Sequence, residues 1–254
     1  MAPFPDPFSL AGKRILVTGA SSGIGRHTAI ACANMGAQLL ITGRNTERLA
    51  DTLAALTGKD HQSITADLTR AEDLTILTAQ AGPVDGIVHA AGISKLVPLR
   101  MLKPAHLDEM FSHNTYAPIL LTKELLAKRQ IRPQGSIVFI SALASHTGPM
   151  ASAAYAASKG ALLGAMRVLG RETVKQGIRA NCIVPGYVRT PLLDGLGQNG
   201  GNMEELMHMA PLGLGEPEDI ANAAIFFLSP SSRWVTRNYF IIDGGLMVPS
   251  DIYA

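Results

Sequence analysis

A chain of 254 residues can bury a full hydrophobic core, and α/β folds of this length commonly form one unit, so a single domain spanning residues 1–254 is expected. With 47% hydrophobic and only 17% charged residues it is too apolar for disorder, while its apolar runs stop short of the ~18 residues that a membrane span needs. Acids and bases alternate around a net charge of +2, which leaves no basic stripe for a nucleic-acid backbone.

Met1 to Leu10 carries prolines and an aspartate instead of a basic start and an apolar stretch, so no secretion signal is read and a cytoplasmic location is expected. Strand-like runs follow at residues 14–18, 38–42, 63–66, 86–90, 136–141, 179–184 and 239–242. Several are unbroken Ile, Val and Leu, the pattern of parallel strands covered on both faces. Helical segments lie between them. Asn45 stands before residues 47–56, Thr69 before residues 71–80, and Pro217 where a first helical turn would begin. Strand and helix alternating throughout predict an α/β, doubly wound (Rossmann) fold with one seven-stranded parallel sheet. The irregular stretch at residues 191–215, rich in glycine and with methionine and histidine crowded between Met203 and Met209, is expected to form a substrate lid.

Cys32 and Cys182 lie far apart in apolar surroundings and read as buried thiols. The seven histidines show neither HExxH spacing nor a neighbouring cysteine pair, so no metal is expected.

The first strand runs into Thr18-Gly19-Ala20-Ser21-Ser22-Gly23-Ile24-Gly25 and then directly into a helix. Glycines there let the backbone turn tightly and approach a pyrophosphate, and the free amides of a helix start favour an anion. After the second strand, where an acid would accept hydrogen bonds from an adenosine ribose, stand Gly43 and Arg44. A guanidinium at that point can pair with a 2′-phosphate, so NADP(H) is the expected cofactor, although Ser22 fills a position where a second basic residue would strengthen the reading. Tyr155 and Lys159, one helical turn apart, share a helix face.

The glycine spacing together with Tyr155-Ala156-Ala157-Ser158-Lys159 resembles the short-chain dehydrogenase/reductase family, in particular its 3-oxoacyl-reductase-like members. Further family motifs follow in order: Asp67-Leu68, Ala90-Ala91-Gly92, Asn114, Pro185-Gly186 with Thr190, and Asp243-Gly244-Gly245. The resemblance implies strand order 3-2-1-4-5-6-7 and assembly into dimers or tetramers. It implies Tyr155 as the proton-transferring residue, Lys159 as the cation that favours its phenolate and holds the nicotinamide ribose, and Asn114 as organiser of a water chain toward Lys159. It assigns cofactor contacts to Gly19, Ser21, Ser22, Gly23, Ile24, Gly25, Arg44, Asp67, Leu68, Ala90, Gly92, Tyr155, Lys159, Gly186, Val188 and Thr190.

Two departures stand out. His89 replaces the usual asparagine before Ala90. Thirteen positions before Tyr155, where relatives carry a catalytic serine, stands Ala142. Ser141 could replace that hydroxyl only if the strand end kinks, because successive side chains face opposite ways; Ser145 and a trapped water are the other substitutes. The expected function is hydride transfer between NADP(H) and a small-molecule carbonyl or secondary alcohol. The alternatives are an NADP-binding protein with weak or no turnover, motivated by Ala142, and an enzyme whose cofactor supports epimerisation or dehydration. Gln176, where reductases of acyl-carrier substrates often keep an arginine, weighs against such a substrate.

Overall fold

The computed structural model describes residues 6–197 and 210–247. Seven strands, β1 (Arg14–Thr18), β2 (Gln38–Gly43), β3 (Gln62–Thr65), β4 (Val84–His89), β5 (Ile131–Ile140), β6 (Arg179–Pro185) and β7 (Tyr239–Ile242), form one sheet of order β3-β2-β1-β4-β5-β6-β7. Every pairing is parallel.

The unbroken apolar runs in these strands follow from two cores. Alternate side chains leave the sheet on opposite faces, so Ile15 and Val17 join Leu39, Ile41 and Val138 on one side, while Leu16 joins Leu40, Ile87 and Phe139 on the other. Helices α1 (Gly23–Asn34) and, late in the chain, Pro217–Leu228 cover the first face through Ala29, Cys32, Ala224 and Phe227. Helices α2 (Thr46–Ala54), α3 (Ala71–Ala81), α4 (Pro104–Phe111), α5 (Ala117–Ala127), α6 (Ala144–Thr147), α7 (Ala153–Thr173) and α8 (Pro191–Gly197) precede that last helix, which is α9. Leu77, Leu121, Leu162 and Met166 of α3, α5 and α7 seal the second face. Each such aliphatic side chain contributes roughly 1.5–3 kcal/mol when fully buried.

Local signals set the helix ends. The Asn45 side chain accepts a hydrogen bond from the Arg48 amide at 2.8 Å, and Pro217 occupies the first turn of α9. Thr69 does not cap α3. Its hydroxyl and amide both donate to Asp67 Oδ1, at 2.7 and 3.0 Å, and Arg70 takes the capping position. Strand β5 begins at Ile131, well before the expected residue 136, with a register irregularity against β4 and Gln134 at a φ of 66°. β4 closes at His89, so Ala90 lies in the loop beyond it. The Met203–Met209 part of the expected lid lies outside the described residues.

The order in which strands are added turns back between β1 and β4. The carboxyl ends of these two neighbours open the crevice in which ligands of doubly wound sheets bind. Among the described residues, no helix is long and apolar enough to cross a membrane, and no three metal-ligating side chains cluster.

Candidate active site

The turn from β1 into α1 is fixed by close backbone packing. Gly19 has a φ of 68°, and a Cβ there would come within 2.7 Å of the Ala91 main chain, so the turn lies directly on the loop that follows β4. A Cβ on Gly25 would run into the Gly19 carbonyl oxygen. Helix α1 starts with no side-chain cap and no acid in its first turn. Its first amides are therefore without intrahelical partners, and its dipole is free to act on an anion.

These amides face a cavity of about 510 Å³. Gly19, Ser21, Ser22, Gly23, Ile24 and Gly25 line it together with Arg44, Asp67, Leu68, Ala90, Gly92 and Thr190, so the structure gathers twelve of the sequence-predicted residues into one place. At its far end the Arg44 guanidinium stands 3.4 Å from His113 Nε2, while His113 Nδ1 lies 3.0 Å from the Glu109 carbonyl. Burial pushes the Asp67 carboxyl up, but hydrogen bonds from Thr69 and the charges of Arg44 and His113 outweigh it and leave Asp67 below its ordinary range. Arg48 and His113 belong to this end of the cavity and escaped the sequence reading. Arg48 carried a signal, one helical turn beyond Arg44. His113 carried none, because its direction is set by a π-helical turn at Ser112–Tyr116 between α4 and α5.

A second cavity of about 260 Å³ continues inward. Ile24, Ala90, Gly92, Ile93, Thr190 and Leu192 line both spaces, so the two form one continuous site. Tyr155, Lys159, Gly186 and Val188 line the inner part. Lys159 is 5% exposed, and its Nζ donates to the Ile140 carbonyl at 2.8 Å. Burial pushes its ammonium down to about 8 and pushes the Tyr155 phenol up to about 12. Desolvation is the cause of the upward shift at Tyr155 and the largest cause of the downward shift at Lys159.

Asn114 lines neither cavity. It stands behind the loop, fully buried, with Oδ1 accepting from the Ile93 amide at 2.9 Å and Nδ2 donating to the Ile93 carbonyl and to Ser158 Oγ, both at 3.0 Å. A Cβ on Gly92 would sit 3.0 Å from Asn114 Oδ1 and 3.1 Å from Lys159 Nζ. The absence of a side chain at Gly92 is what allows these two groups to approach the same spot.

Ala142 lines the inner cavity, and neither neighbouring serine replaces it. Ser141 lines the cavity as well, but its hydroxyl donates to the Lys159 carbonyl at 2.9 Å. Ser145 donates to the Ala142 carbonyl at 2.7 Å. In the segment after β6, a Cβ on Gly186 would lie 2.8 Å from the Asp243 Cα, so the glycine lets two chain segments touch. Thr190 Oγ1 lies 3.2 Å from the Val188 carbonyl.

Comparison with known proteins agrees with this geometry. A family model described as enoyl-(acyl carrier protein) reductase matches residues 19–247. A 3-oxoacyl-(acyl-carrier-protein) reductase of Rickettsia bellii (strain RML369-C) is 32% identical over 241 residues, which cover 94% of this chain and 98% of that protein. A solved short-chain dehydrogenase/reductase of Brucella melitensis, described as glucose/ribitol dehydrogenase, superposes with a TM-score of 0.87 at 30% identity, covering 96% of this chain and 100% of the other. A Beutenbergia cavernae protein solved with NADP bound at low occupancy superposes with a TM-score of 0.86 at 32% identity over 96% and 100% of the two chains. A tyrosine and a lysine one turn apart on one helix, an uncapped glycine turn and matches over nearly the whole length lead to one conclusion: the chain belongs to the short-chain dehydrogenase/reductase family of oxidoreductases.

Proposed function

We propose that the protein transfers hydride between NADP(H) and a small-molecule carbonyl or secondary alcohol. The observation that carries this reading is the continuity of the two cavities, with the open start of α1 and Arg44 in one and Tyr155 with Lys159 in the other. The residues fit a dinucleotide. The amides of α1 would hold its pyrophosphate, Arg44 a 2′-phosphate, Asp67 and Leu68 the adenosine end, and Lys159 the inner ribose. The end of β2 carries Gly43 and Arg44 and no acid to repel that phosphate, and the Beutenbergia cavernae relative binds NADP. Bound NADPH supplies the hydride.

Tyr155 gives its phenolic proton to the carbonyl oxygen as negative charge builds there, or takes it back in the reverse direction. With the phenol pushed up to about 12, the proton is in place at neutral pH. The Lys159 ammonium, fixed on the Ile140 carbonyl, orients the inner end of the cofactor and favours the phenolate once the proton has left. Asn114 holds the loop that carries Gly92 and Ile93 against this pair. A second reading, an NADP-binding protein of weak turnover, rests on the missing hydroxyl at Ala142.

An assay following NADPH absorbance against a panel of carbonyl compounds separates the two. Turnover is expected, with higher kcat/KM for NADPH than for NADH. Tyr155→Phe should lower the rate by ~10²–10⁴ while NADPH affinity stays within a few fold. Equal use of both cofactors would remove the Arg44 argument, and a fully active Phe variant would mean that another group donates the proton.

A further inference from the structure

We propose that Ser94 determines substrate specificity in the inner cavity, where its hydroxyl meets a second oxygen of the substrate, a hydroxyl or carbonyl close to the one that Tyr155 protonates. The inference rests on the carbonyl–alcohol reading above and narrows it, from ketones in general to ketones that carry a neighbouring oxygen.

The wall of the inner cavity is mainly aliphatic, with Ile93, Leu96, Leu143, Val188 and Leu193 among its residues. Most hydroxyls on that wall already have a partner. Ser141 donates to the Lys159 carbonyl, Thr147 to that of Leu143, Ser152 to that of Pro149 and Thr190 to that of Val188. Ser94 differs from all four. Its Oγ is buried and has no hydrogen-bond partner among the described residues. Buried hydroxyls are nearly always paired, because an unmet donor destabilises the fold, so an unpaired one on a residue of the cavity wall calls for a partner.

The position of Ser94 is also fixed before any ligand arrives. Asn114 clamps both the amide and the carbonyl of Ile93, immediately before it. Three residues later the Val97 amide donates to the Ala151 carbonyl at 2.7 Å. The irregular loop after β4 is thereby tied at two points, with Ser94 between them, and a hydroxyl held in this way gains selectivity at little ordering cost. Tyr155 and Ala142 come from α7 and from the end of β5, whereas Ser94 comes from the loop after β4. Approaching from a different wall, its hydroxyl serves a different oxygen once it turns from its buried position toward the cavity.

The test uses the whole protein with NADPH and two matched pairs of ketones: hydroxyacetone against 2-butanone, and ethyl acetoacetate against 2-hexanone. Ser94→Ala should lower kcat/KM about tenfold for hydroxyacetone and ethyl acetoacetate and leave the two plain ketones within about twofold. The Kd for NADPH should not move, and the thermal midpoint should not fall, since an unmet polar group has been removed. Ser94→Thr should keep the selectivity. Ser94→Cys, close in volume but a weak donor, should lose it, which covers the case in which alanine disturbs the loop. An equal loss on all four compounds, or no loss on any, overturns the role of Ser94 and leaves the oxidoreductase reading standing. A wild type that binds NADPH yet turns over none of the four ketones overturns that reading and this one with it.

Discussion

The side chain of Ala142 is a methyl group on the wall of the inner cavity, at the position where the family resemblance implies a serine. In a pocket of this kind, one hydrogen bond to the oxygen that collects negative charge is worth ~10²–10³ in rate. Ser141 and Ser145 already donate to main-chain carbonyls, and Ser94 stands on another wall. Ala142→Ser should therefore raise kcat by at least ~10-fold with the Kd for NADPH unchanged. A variant no faster than the wild type would mean that some other donor already serves that oxygen. His89 is the second residue with a measurable consequence. It is 3% exposed, stacked on Phe139 at 4.9 Å, and its Nε2 lies 2.8 Å from Thr122 Oγ1, whose own proton goes to the Pro118 carbonyl. The ring is thus the neutral Nε2–H form, and its Nδ1 is buried without a partner among the described residues. Burial pushes its pKa from the ordinary 6.5 down to about 3. Below pH 6.5 the unfolded chain takes up a proton that the folded one refuses, so stability falls as pH drops from 6.5 toward 3. Urea midpoints measured between neutrality and pH 4.5 should decline less steeply in His89→Asn than in the wild type; parallel curves would rule out this histidine as a source of acid lability.

Among the elements, the β1–α1 turn tolerates the least change. A methyl on Gly25 meets a backbone oxygen, which cannot swing aside as a flexible side chain can. Gly25→Ala should cost roughly 1–3 kcal/mol of stability and weaken NADPH binding as the start of α1 is pushed out of line. An unaltered urea midpoint together with unaltered affinity would show that the turn relaxes freely. This turn was legible in the sequence because its glycines stand where a strand must become a helix. The strand interiors were legible for a related reason: burial on two faces leaves apolar runs such as Ile15–Leu16–Val17, which no other element in an alternating chain requires. Strand ends were less so. The start of β5 passes through Pro133 and through Gln134 at positive φ, residues that argue against a strand until the pairing of Val84 with Ile131 draws them into one. His113 and Ser94 were beyond reach for another reason. The first depends on a π-helical turn, and the significance of the second lies in a partner it lacks, which only the folded neighbourhood reveals.

At the scale of the molecule, the two edges of the sheet are unequal. On β7 the side chains of Tyr239 and Phe240 are 38% and 49% exposed, and Trp234, just before the strand, is 90% exposed. An open apolar edge of this kind invites pairing with another chain, which supports assembly into dimers or tetramers. Light scattering should give a multiple of 26.8 kDa for the wild type and a lower mass for Phe240→Glu; a monomeric wild type would refute assembly through this edge. The same long-range construction appears inside the site, where Asn114 joins the loop after β4 to α7 through Ile93 and Ser158. Both Nδ2 hydrogens are committed to that joint, leaving the side chain no proton of its own to offer a water. Toward solvent near Lys159 the Asn114 side chain has only an acceptor left, the remaining lone pair of Oδ1. A substitution at 114 would let go of the loop and the helix at once, so one side chain is the hinge pin for both walls of the inner cavity.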